Sequence, residues 1–359
     1  MSRTARRILA GLALLVIILG VGTLFWLNRV GAFVHVAPHF AGTCEPLPLA
    51  ASAEDIRIDR DLGIAYLSAL DRRSVRQGRG DVTGTILRVD FNSSPRRAVA
   101  TLVDAPTDFR PGGLSLYSLP GGAQRLFVLS DPVQAPHAVE IFTRNAEGQF
   151  VHAETLHNPL LFSPHSIVAV GEHQFYVAND SGARSGFERL TEIAFGRPLS
   201  TVTYFDGATM RVVDDALALA TGIAASADGG RIYVSQAGNR SVRVYSRDSA
   251  TGDLTPIEDV KVYSTPENLD VAEDGGIWVA AYPDLLAVLK HLHDARVRAP
   301  TQVLRIAADP QAPRRLGEVY LNAGEEISAG SVAAVTNDGF LLGAPADPWI
   351  LSCRLSQQQ

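Results

Sequence analysis

Two adjacent pairs of oxygen-bearing side chains are the first candidates for chemistry in this sequence. Glu54-Asp55 precedes one short apolar run, and Asn179-Asp180 ends another. Carboxylate, amide and carbonyl oxygens are the ligands that a hard cation such as Ca²⁺ takes in proteins, about six to eight at a time. A single such residue is more typical of a turn or a cap. The pairs therefore indicate a calcium site only if several of them converge.

Other chemistries are disfavoured by the sequence. It contains no Gly-x-Ser-x-Gly segment of the kind that carries the nucleophile of many serine hydrolases. The formal net charge of −6 argues against a general nucleic-acid binder, because such proteins carry a basic face. A mild acidic excess suits a cation pocket, but it is also an ordinary contribution to solubility.

Short apolar strands that could position these residues recur roughly every fifty residues. They are GIAYLSAL (63–70), RLFVLS (125–130), QFYVAND (174–180), RIYVSQA (231–237), GIWVAAY (276–282) and GFLLGA (339–344). Alternating strands follow most of them, such as ILRVDF (86–91) and VRVYSR (242–247). Six recurrences predict an all-β, six-bladed β-propeller, with one short helix within 283–295. Two packed β-sandwiches are the competing fold, but they would not produce this period.

The N-terminal segment is apolar enough to cross a membrane. Residues 9–28 carry no charge and would form a helix of about 30 Å, the thickness of the hydrocarbon layer. Three arginines precede it and Arg29 follows, which predicts a cytoplasmic N-terminus and an extracytoplasmic propeller. A cleaved signal peptide is the alternative, but its apolar core is shorter and ends at a small-x-small site, which is missing here. We divide the chain into a tip and transmembrane anchor (1–30), a linker (31–43), the propeller (44–353) and a tail (354–359).

The only two cysteines stand at the two ends of the propeller segment. In an oxidising compartment, Cys44 and Cys353 favour a single disulfide. Two unrelated buried thiols are the alternative. A bond between these positions would bring the two ends of the propeller together, where a ring of blades has to close.

Several segments resemble the paraoxonase/arylesterase family, which is related to the gluconolactonase-like six-bladed propellers. They are AEDIRIDRDLGIAYLSAL (53–70), FRPGGLSLY (109–117), SIVAVGEHQFYVAND (166–180), TGIAASADGGRIYVSQ (221–236), PENLDVAEDGGIWVAAYP (266–283) and GSVAAV (330–335). The resemblance covers nearly all of 44–353. It implies two calcium ions in the central tunnel, one catalytic and one structural, and hydrolysis of lactones and aryl esters.

The resemblance also implies metal ligands at specific positions. For the catalytic ion these are Glu54, Asn179 and Asn268, with Glu267 in place of the family's aspartate and Thr221 in place of a further asparagine. For the structural ion they are Asp55, Asp180 and the carbonyl of Leu114.

The proton-handling residues depart from the family pattern. Gly112 and Asp131 stand where the family has a histidine pair, and Tyr282 replaces another pocket histidine. His165, in SPHSIVAV, stands where the family has an asparagine or aspartate near the metal. An unperturbed imidazole titrates near neutrality, so His165 is the first candidate general base and Asp131 the second. His137 lies near the lost histidine and could replace it.

We therefore expect a calcium-dependent hydrolase of a small-molecule ester or lactone. A membrane-tethered propeller that binds a ligand or partner, with calcium in a purely structural role, is the alternative, because the fold alone does not decide between them.

Overall fold

Six sheets of four or five strands, antiparallel except for one edge pairing, surround a central tunnel in the computed structural model, which describes residues 2–309, 311–312 and 315–356. The prediction of an all-β six-bladed propeller is confirmed. Each blade begins with the strand nearest the tunnel and proceeds outward, and neighbouring innermost strands contact one another around the whole ring.

The first three blades follow one another along the chain. Blade 1 contains β3 (Ser52–Asp59), β4 (Ile64–Leu70), β5 (Thr85–Asp90) and β6 (Ala98–Ala100). Blade 2 contains β8 (Pro111–Ser118), β9 (Gln124–Ser130), β10 (Ala138–Arg144), β11 (Phe150–His157) and, at its outer edge, β7 (Leu102–Val103). Blade 3 contains β12 (Pro164–Ala169), β13 (Phe175–Asn179), β14 (Ser200–Phe205) and β15 (Met210–Leu217).

The last two blades take their outermost strands from the N-terminal side of the chain. Blade 4 contains β16 (Ala220–Ala225), β17 (Arg231–Gln236), β18 (Ser241–Arg247) and β19 (Leu254–Lys261). Blade 5 contains β20 (Thr265–Val271), β21 (Ile277–Tyr282), β22 (Thr301–Ile306), β23 (Leu316–Asn322) and β1 (His39–Phe40). Blade 6 contains β24 (Val332–Val335), β25 (Gly339–Gly343), β26 (Trp349–Leu355) and β2 (Gly42–Pro48).

The apolar runs found in the sequence are the second strands of the six blades. Strand β4 is buried along its whole length, and β21 likewise. A strand that is covered on both faces reads as a continuous apolar run, which explains why these strands were the easiest to predict. The core lies between adjacent blades: Ala224 and Val244 of blade 4 pack with Val279 and Leu304 of blade 5.

The ring closes where the sequence predicted. Strand β2 pairs with β26, and Cys44 lies opposite Cys353 in that pairing and forms a disulfide with it. Strand β1 lies inside the segment 31–43, which the sequence predicts to be a linker. Its Phe40 packs against the rings of Tyr320 and Phe340 with centroid distances of 5.6 Å, so these residues belong to the packed propeller.

The N-terminal helix α1 (Arg3–Arg29) is long and apolar enough to cross a membrane, with a mean hydropathy of 2.7 and no buried residue. Just beyond its end, the carbonyl of Val30 accepts a 2.9 Å hydrogen bond from the amide of Leu285. The backbone that follows the helix therefore contacts the propeller directly.

Three short helices lie in loops of the propeller: α2 (Arg72–Arg76), α3 (Gly186–Phe195) and α4 (Leu285–His291). The sequence predicted α4. It did not predict α3, although the signals are present. Ser185 caps its first turn by accepting from the amide of Glu188, and Gly196 ends it with a φ of +61°.

Candidate functional site

In five of the six blades, the pairing between the innermost strand and the second strand is irregular near the start of the innermost strand. The register shifts between Ala53 and Ile56 in β3, and comparable shifts occur near the start of four other innermost strands. These lie at Pro111/Leu114, Pro164/Ser166, Ala220/Gly222 and Pro266/Leu269. A β-bulge re-aims the side chains at the extra residue. Every predicted site residue on an innermost strand lies at or inside one of these shifts, so the bulges create one ring of polar groups at one mouth of the tunnel.

Two glycines allow these strands to approach one another. A Cβ atom on Gly113 would lie 2.7 Å from the carbonyl oxygen of His165, and one on Gly222 would lie 2.3 Å from that of Glu267. Neither distance is tolerable for a real side chain. These glycines are therefore required for the close backbone contacts of blade 2 with blade 3 and of blade 4 with blade 5 at the mouth.

Four side chains converge there, and we call Glu54, His165, Glu267 and Asn268 the mouth cluster. The Nε2 atom of His165 lies 3.9 Å from Glu54 Oε1 and 3.8 Å from Glu267 Oε2. Its Nδ1 atom lies 2.5 Å from the carbonyl of Thr221, which as an acceptor requires the proton on Nδ1. The imidazole is thus held at one nitrogen and presents the other to two carboxylates.

Arg72 fixes Glu54 from the side opposite His165. Its Nε lies 2.6 Å from Glu54 Oε2, and its Nη2 donates to the carbonyl of Pro111 at 2.6 Å. The backbone carbonyl of Glu54 also accepts hydrogen bonds from the hydroxyl of Ser331 at 2.7 Å and from the side-chain Nδ2 of Asn268 at 3.4 Å. One carboxylate oxygen of Glu54 is therefore committed to Arg72, and the other faces the mouth cluster.

Two oxygen atoms of the mouth cluster have no donor. Glu267 Oε2 and Asn268 Oδ1 are both buried, and neither accepts a hydrogen bond from any residue that the structure describes. Leaving a buried acceptor without a partner costs about 1–3 kcal/mol. A cation between them would satisfy both atoms. The residues of the mouth cluster therefore fit a bound hard cation, with carboxylate and amide oxygens as its protein ligands.

The electrostatics of the mouth cluster reflect burial and crowding. Burial raises the pKa of Glu267 to about 8, although the nearby imidazole opposes this. Burial would lower the pKa of His165, but the carboxylates of Glu267 and Glu54 outweigh it and raise that pKa to about 9. Burial also disfavours ionised Glu54, yet Arg72 and His165 together hold its pKa below the usual range. In the arrangement described here, Glu267 and His165 therefore both favour their protonated forms at neutral pH, whereas Glu54 is ionised.

Three residues are predicted to bind a structural ion, and we call Asp55, Leu114 and Asp180 the second-ion residues. Unlike the mouth cluster, their carboxylates are paired with protein donors. Asp55 is fully buried, and its Oδ2 accepts from the amide of Leu114 at 2.9 Å, so the N–H of Leu114 and not its carbonyl faces the carboxylate. Its Oδ1 accepts from the amide of Ile56 and forms an ion pair with Arg57, both at 2.9 Å. Burial still raises the pKa of Asp55 despite these donors.

Asp180 is also fully engaged. Its Oδ2 pairs with Arg189 at 2.7 Å, and its Oδ1 accepts from the hydroxyl of Ser163. Every carboxylate oxygen among the second-ion residues thus has a protein donor, and each carboxylate has its own arginine. Arg57 and Arg189 therefore already supply positive charge to these carboxylates, and a structural ion at the second-ion residues stays a prediction.

The remaining predicted ligands lie in the same region of the tunnel. Asn179 is fully buried; its Oδ1 accepts from the amide of Ser163 at 3.2 Å, and its Nδ2 donates to Leu160 and Thr201 at 3.0 Å. The hydroxyl of Thr221 donates to the carbonyl of Pro266 at 2.8 Å. Both oxygens keep a free lone pair. Across the described residues, no group of three His, Cys, Asp or Glu side chains suffices to hold a metal, so a site here depends on amide oxygens.

The candidate bases His165 and Asp131 line one cavity together with Glu54 and Gly112, and its volume is about 370 Å³. Asp131 lies at the rim with its side chain 80 % exposed, and its Oδ1 lies 3.0 Å from Nε2 of His137. That contact raises the pKa of His137. His137 also uses its Nδ1 atom on the carbonyl of Leu161 at 3.0 Å, so both of its nitrogens are engaged.

The sequence reasoning missed the arginines Arg57 and Arg72 and the hydroxyl of Ser331. Arg57 could have been found, because residues i and i+2 of a strand share a face, and it therefore lies on the same side as Asp55. Arg72 sits on α2, and nothing in the sequence pattern indicates that this short helix reaches Glu54. The glycine pairs of PGG (111–113) and TG (221–222) were also informative signals of close strand contact.

The chain is similar in sequence and in fold to several known proteins. The family model described as Arylesterase matches residues 49–354, which is nearly the whole propeller. The human serum paraoxonase/arylesterase 1 is 26 % identical over 324 residues, covering 88 % of this chain and 90 % of that protein. The human serum paraoxonase/lactonase 3 is 26 % identical over 341 residues, covering 91 % and 95 %. A solved luciferin-regenerating enzyme shares the fold with a TM-score of 0.54 at 13 % identity, covering 87 % of this chain and 95 % of its own.

Proposed function

Because the chain belongs to the arylesterase family, we propose that it hydrolyses carboxylic esters or lactones with the help of calcium bound by the mouth cluster. Membership of that family supports the reaction class. The observation that carries the metal part of the proposal is the pair of buried, donor-less oxygens of Glu267 and Asn268 beside Glu54.

We assign the ion to Glu54, Glu267 and Asn268, with Asn179 and Thr221 contributing further oxygens. A bound calcium ion supplies Lewis-acid polarisation of the ester carbonyl and stabilisation of the oxyanion that develops on it. We propose a single ion, because the carboxylates of the second-ion residues are already paired with Arg57 and Arg189. Their role in this proposal is to hold the innermost strands in place through arginine pairs.

His165 is the residue that we assign to proton handling. Thr221 holds its Nδ1–H, so Nε2 is the atom that takes the proton from water or gives it to the leaving alcohol. The carboxylates of Glu267 and Glu54 raise the pKa of His165 to about 9, and a cation held by the same carboxylates would oppose that rise, so that the ring can exchange a proton nearer neutrality. Asp131 is the weaker candidate, because it is exposed at the rim and already holds His137.

The test is hydrolysis of phenyl acetate and a panel of lactones by the full-length protein, with calcium and with a chelator. We expect turnover that requires calcium and is lost with the chelator. His165→Gln should keep calcium binding and lower kcat. Demonstrable calcium binding without turnover of any substrate in the panel would favour the non-catalytic, ligand-binding propeller instead.

We also propose that the helix Arg3–Arg29 anchors the protein with the propeller outside the cytoplasm. The disulfide supports this location, since such bonds persist in oxidising compartments. Arg3, Arg6 and Arg7 on the N-terminal side of the helix support the orientation. A reporter enzyme that is active only outside the cytoplasm, fused after the propeller, should be active, and an inactive one would reverse the topology.

A further inference from the structure

Three arginines line the cavity in front of the mouth cluster. Arg72, Arg76 and Arg110 share it with two carboxylates, Glu54 and Asp131. Glu54 is already paired with Arg72, and Asp131 is directed to the rim, where it contacts His137. Arg110 has its own carboxylate partner in Asp108, whereas Arg76 has none among the described residues.

Arg110 is buried but incompletely satisfied. Its side chain is 6 % exposed, and its Nη2 donates to the carbonyl of Gly80 at 2.6 Å. Its Nε lies 3.3 Å from Asp108 Oδ1 but makes no hydrogen bond. Asp108 in turn accepts from the amides of Val133 and Gln134. Arg110 is therefore a buried cation at the cavity wall, ion-paired with Asp108 but without a hydrogen bond at its Nε atom.

Arg76 is free of protein partners. It makes no hydrogen bond or ion pair with the described part of the chain, and it lines the same cavity as His165. Its charge is close enough to lower the pKa of Glu54 and to oppose the burial that raises the pKa of Tyr282. Its guanidinium therefore lies within electrostatic range of the mouth cluster.

We propose that this cavity is a carboxylate subsite, so that the preferred substrates are esters or lactones that carry a second, anionic group. Arginine recognises a carboxylate through its planar fork of donors. The cavity also presents the apolar side chains of Leu70, Val75 and Leu129, which suit a short hydrocarbon spacer. A volume of about 370 Å³ accommodates a small acid of this kind. With its carboxylate on Arg76 and Arg110, such a molecule has its ester group beside Glu54 and His165.

This inference rests on the proposed hydrolase, so the test has one arm with turnover and one without. In the first arm, monophenyl glutarate and phenyl pentanoate are compared, because they share the leaving group and differ in the distal carboxylate. We expect kcat/KM to be at least about tenfold higher for the glutarate, which corresponds to about 1.4 kcal/mol. Arg76→Ala should reduce this ratio at least fivefold, while Arg79→Ala, an exposed arginine on the same loop paired with Asp71, should leave it unchanged.

In the second arm, glutarate alone is titrated into the full-length protein by calorimetry with a chelator present. Saturable binding that weakens in Arg76→Ala supports the subsite even if neither ester is hydrolysed, and in that case only the hydrolase proposal fails. Equal kcat/KM for the two esters, together with no saturable glutarate binding, overturns the subsite and leaves the hydrolase standing. Arg76 is exposed, so its variant remains testable if Arg110→Gln does not fold.

Discussion

The mouth cluster and the second-ion residues contain the same kinds of side chain in opposite states. In the mouth cluster, Glu267 and Asn268 each keep a buried oxygen without a donor. Among the second-ion residues, every carboxylate oxygen has at least one donor, from Arg57 and backbone amides at Asp55 and from Arg189 and Ser163 at Asp180. Carboxylates in matching positions therefore do not imply matching ions. A guanidinium can supply the positive charge that a metal supplies elsewhere, and what distinguishes the two regions is whether any oxygen is left over.

The sharpest way to break this comparison is to remove Arg57. Arg57→Ala leaves Asp55 buried without its cation, and breaking a buried pair costs about 3–5 kcal/mol. We expect a loss of that size in the free energy of unfolding in urea at pH 8. The deficit should shrink at low pH, because Asp55 can then take up a proton.

A matched control separates charge from packing. Asp55→Asn combined with Arg57→Ala should recover most of the loss, since no buried charge remains unpaired. Arg57→Ala should also gain calcium-dependent stabilisation that the wild type lacks. A variant as stable as the wild type would show that the pair contributes nothing and that the second-ion residues remain open to a metal.

The next largest effect is expected in the mouth cluster. Asn268→Ala removes one of the two donor-less oxygens, and loss of one such stabilising group typically lowers kcat by about 10²–10³. We expect this loss together with weaker calcium binding and little change in Tm. Asn337→Ala, at an exposed turn, is the control and should retain full activity. Unchanged calcium affinity in Asn268→Ala would remove the asparagine from the ligand set.

The pH dependence of stability tests the protonation of the mouth cluster. The pKa of His165 is raised from 6.5 to about 9, so its contribution is fully present below pH 6.5 and is lost as pH rises through 9. The pKa of Glu267 is raised from 4.5 to about 8 by burial, so its ionisation destabilises the fold as pH rises over that range. In the presence of a chelator, Tm should therefore fall between pH 6 and 9.

Glu267→Gln is the variant that checks this prediction. It removes one of the two titrating groups and one of the charges that hold the proton on His165, so the fall in Tm should be smaller. An equally steep fall in the variant would place the titration elsewhere in the molecule.

The smallest effect should come from removing calcium from the wild type. One ion at a hundred times its Kd stabilises by about 2.7 kcal/mol, which amounts to a Tm change of a few degrees in a domain of this size. We expect a chelator to abolish turnover with only this modest shift. Calorimetry should give one ion per chain, and a stoichiometry of two would contradict the assignment of Arg57 as the replacement cation.

Much of the fold could be predicted because its signals are local. The second strands of the blades are apolar on both faces, and the runs around Tyr66, Tyr233 and Trp278 stand out for that reason. The innermost strands were harder, because their first residues are polar and their pairing is broken by bulges. The disulfide followed from there being only two cysteines.

The site could be predicted only in part. The positions of Glu54, Glu267 and Asn268 followed from the resemblance, and the structure brings them together. The charge state of these carboxylates and of the second-ion residues could not be predicted from the sequence. It depends on Arg57, Arg72 and Arg189, which lie on a strand and on two loop helices. Long side chains reach partners far away in sequence, and no local pattern records where they end.

The closure of the ring also has a consequence for how the protein is made. Strands β1 and β2 leave the ribosome early, but their partners β23 and β26 are among the last four strands to be synthesised. For most of translation, the early segment is an unpaired strand edge that could recruit another nascent chain. Pro46 and Pro48 lack the amide hydrogens needed for continuous pairing, and Glu45 adds a charge. Strand β2 is thus a poor template for other chains until its own partner, β26, has been synthesised.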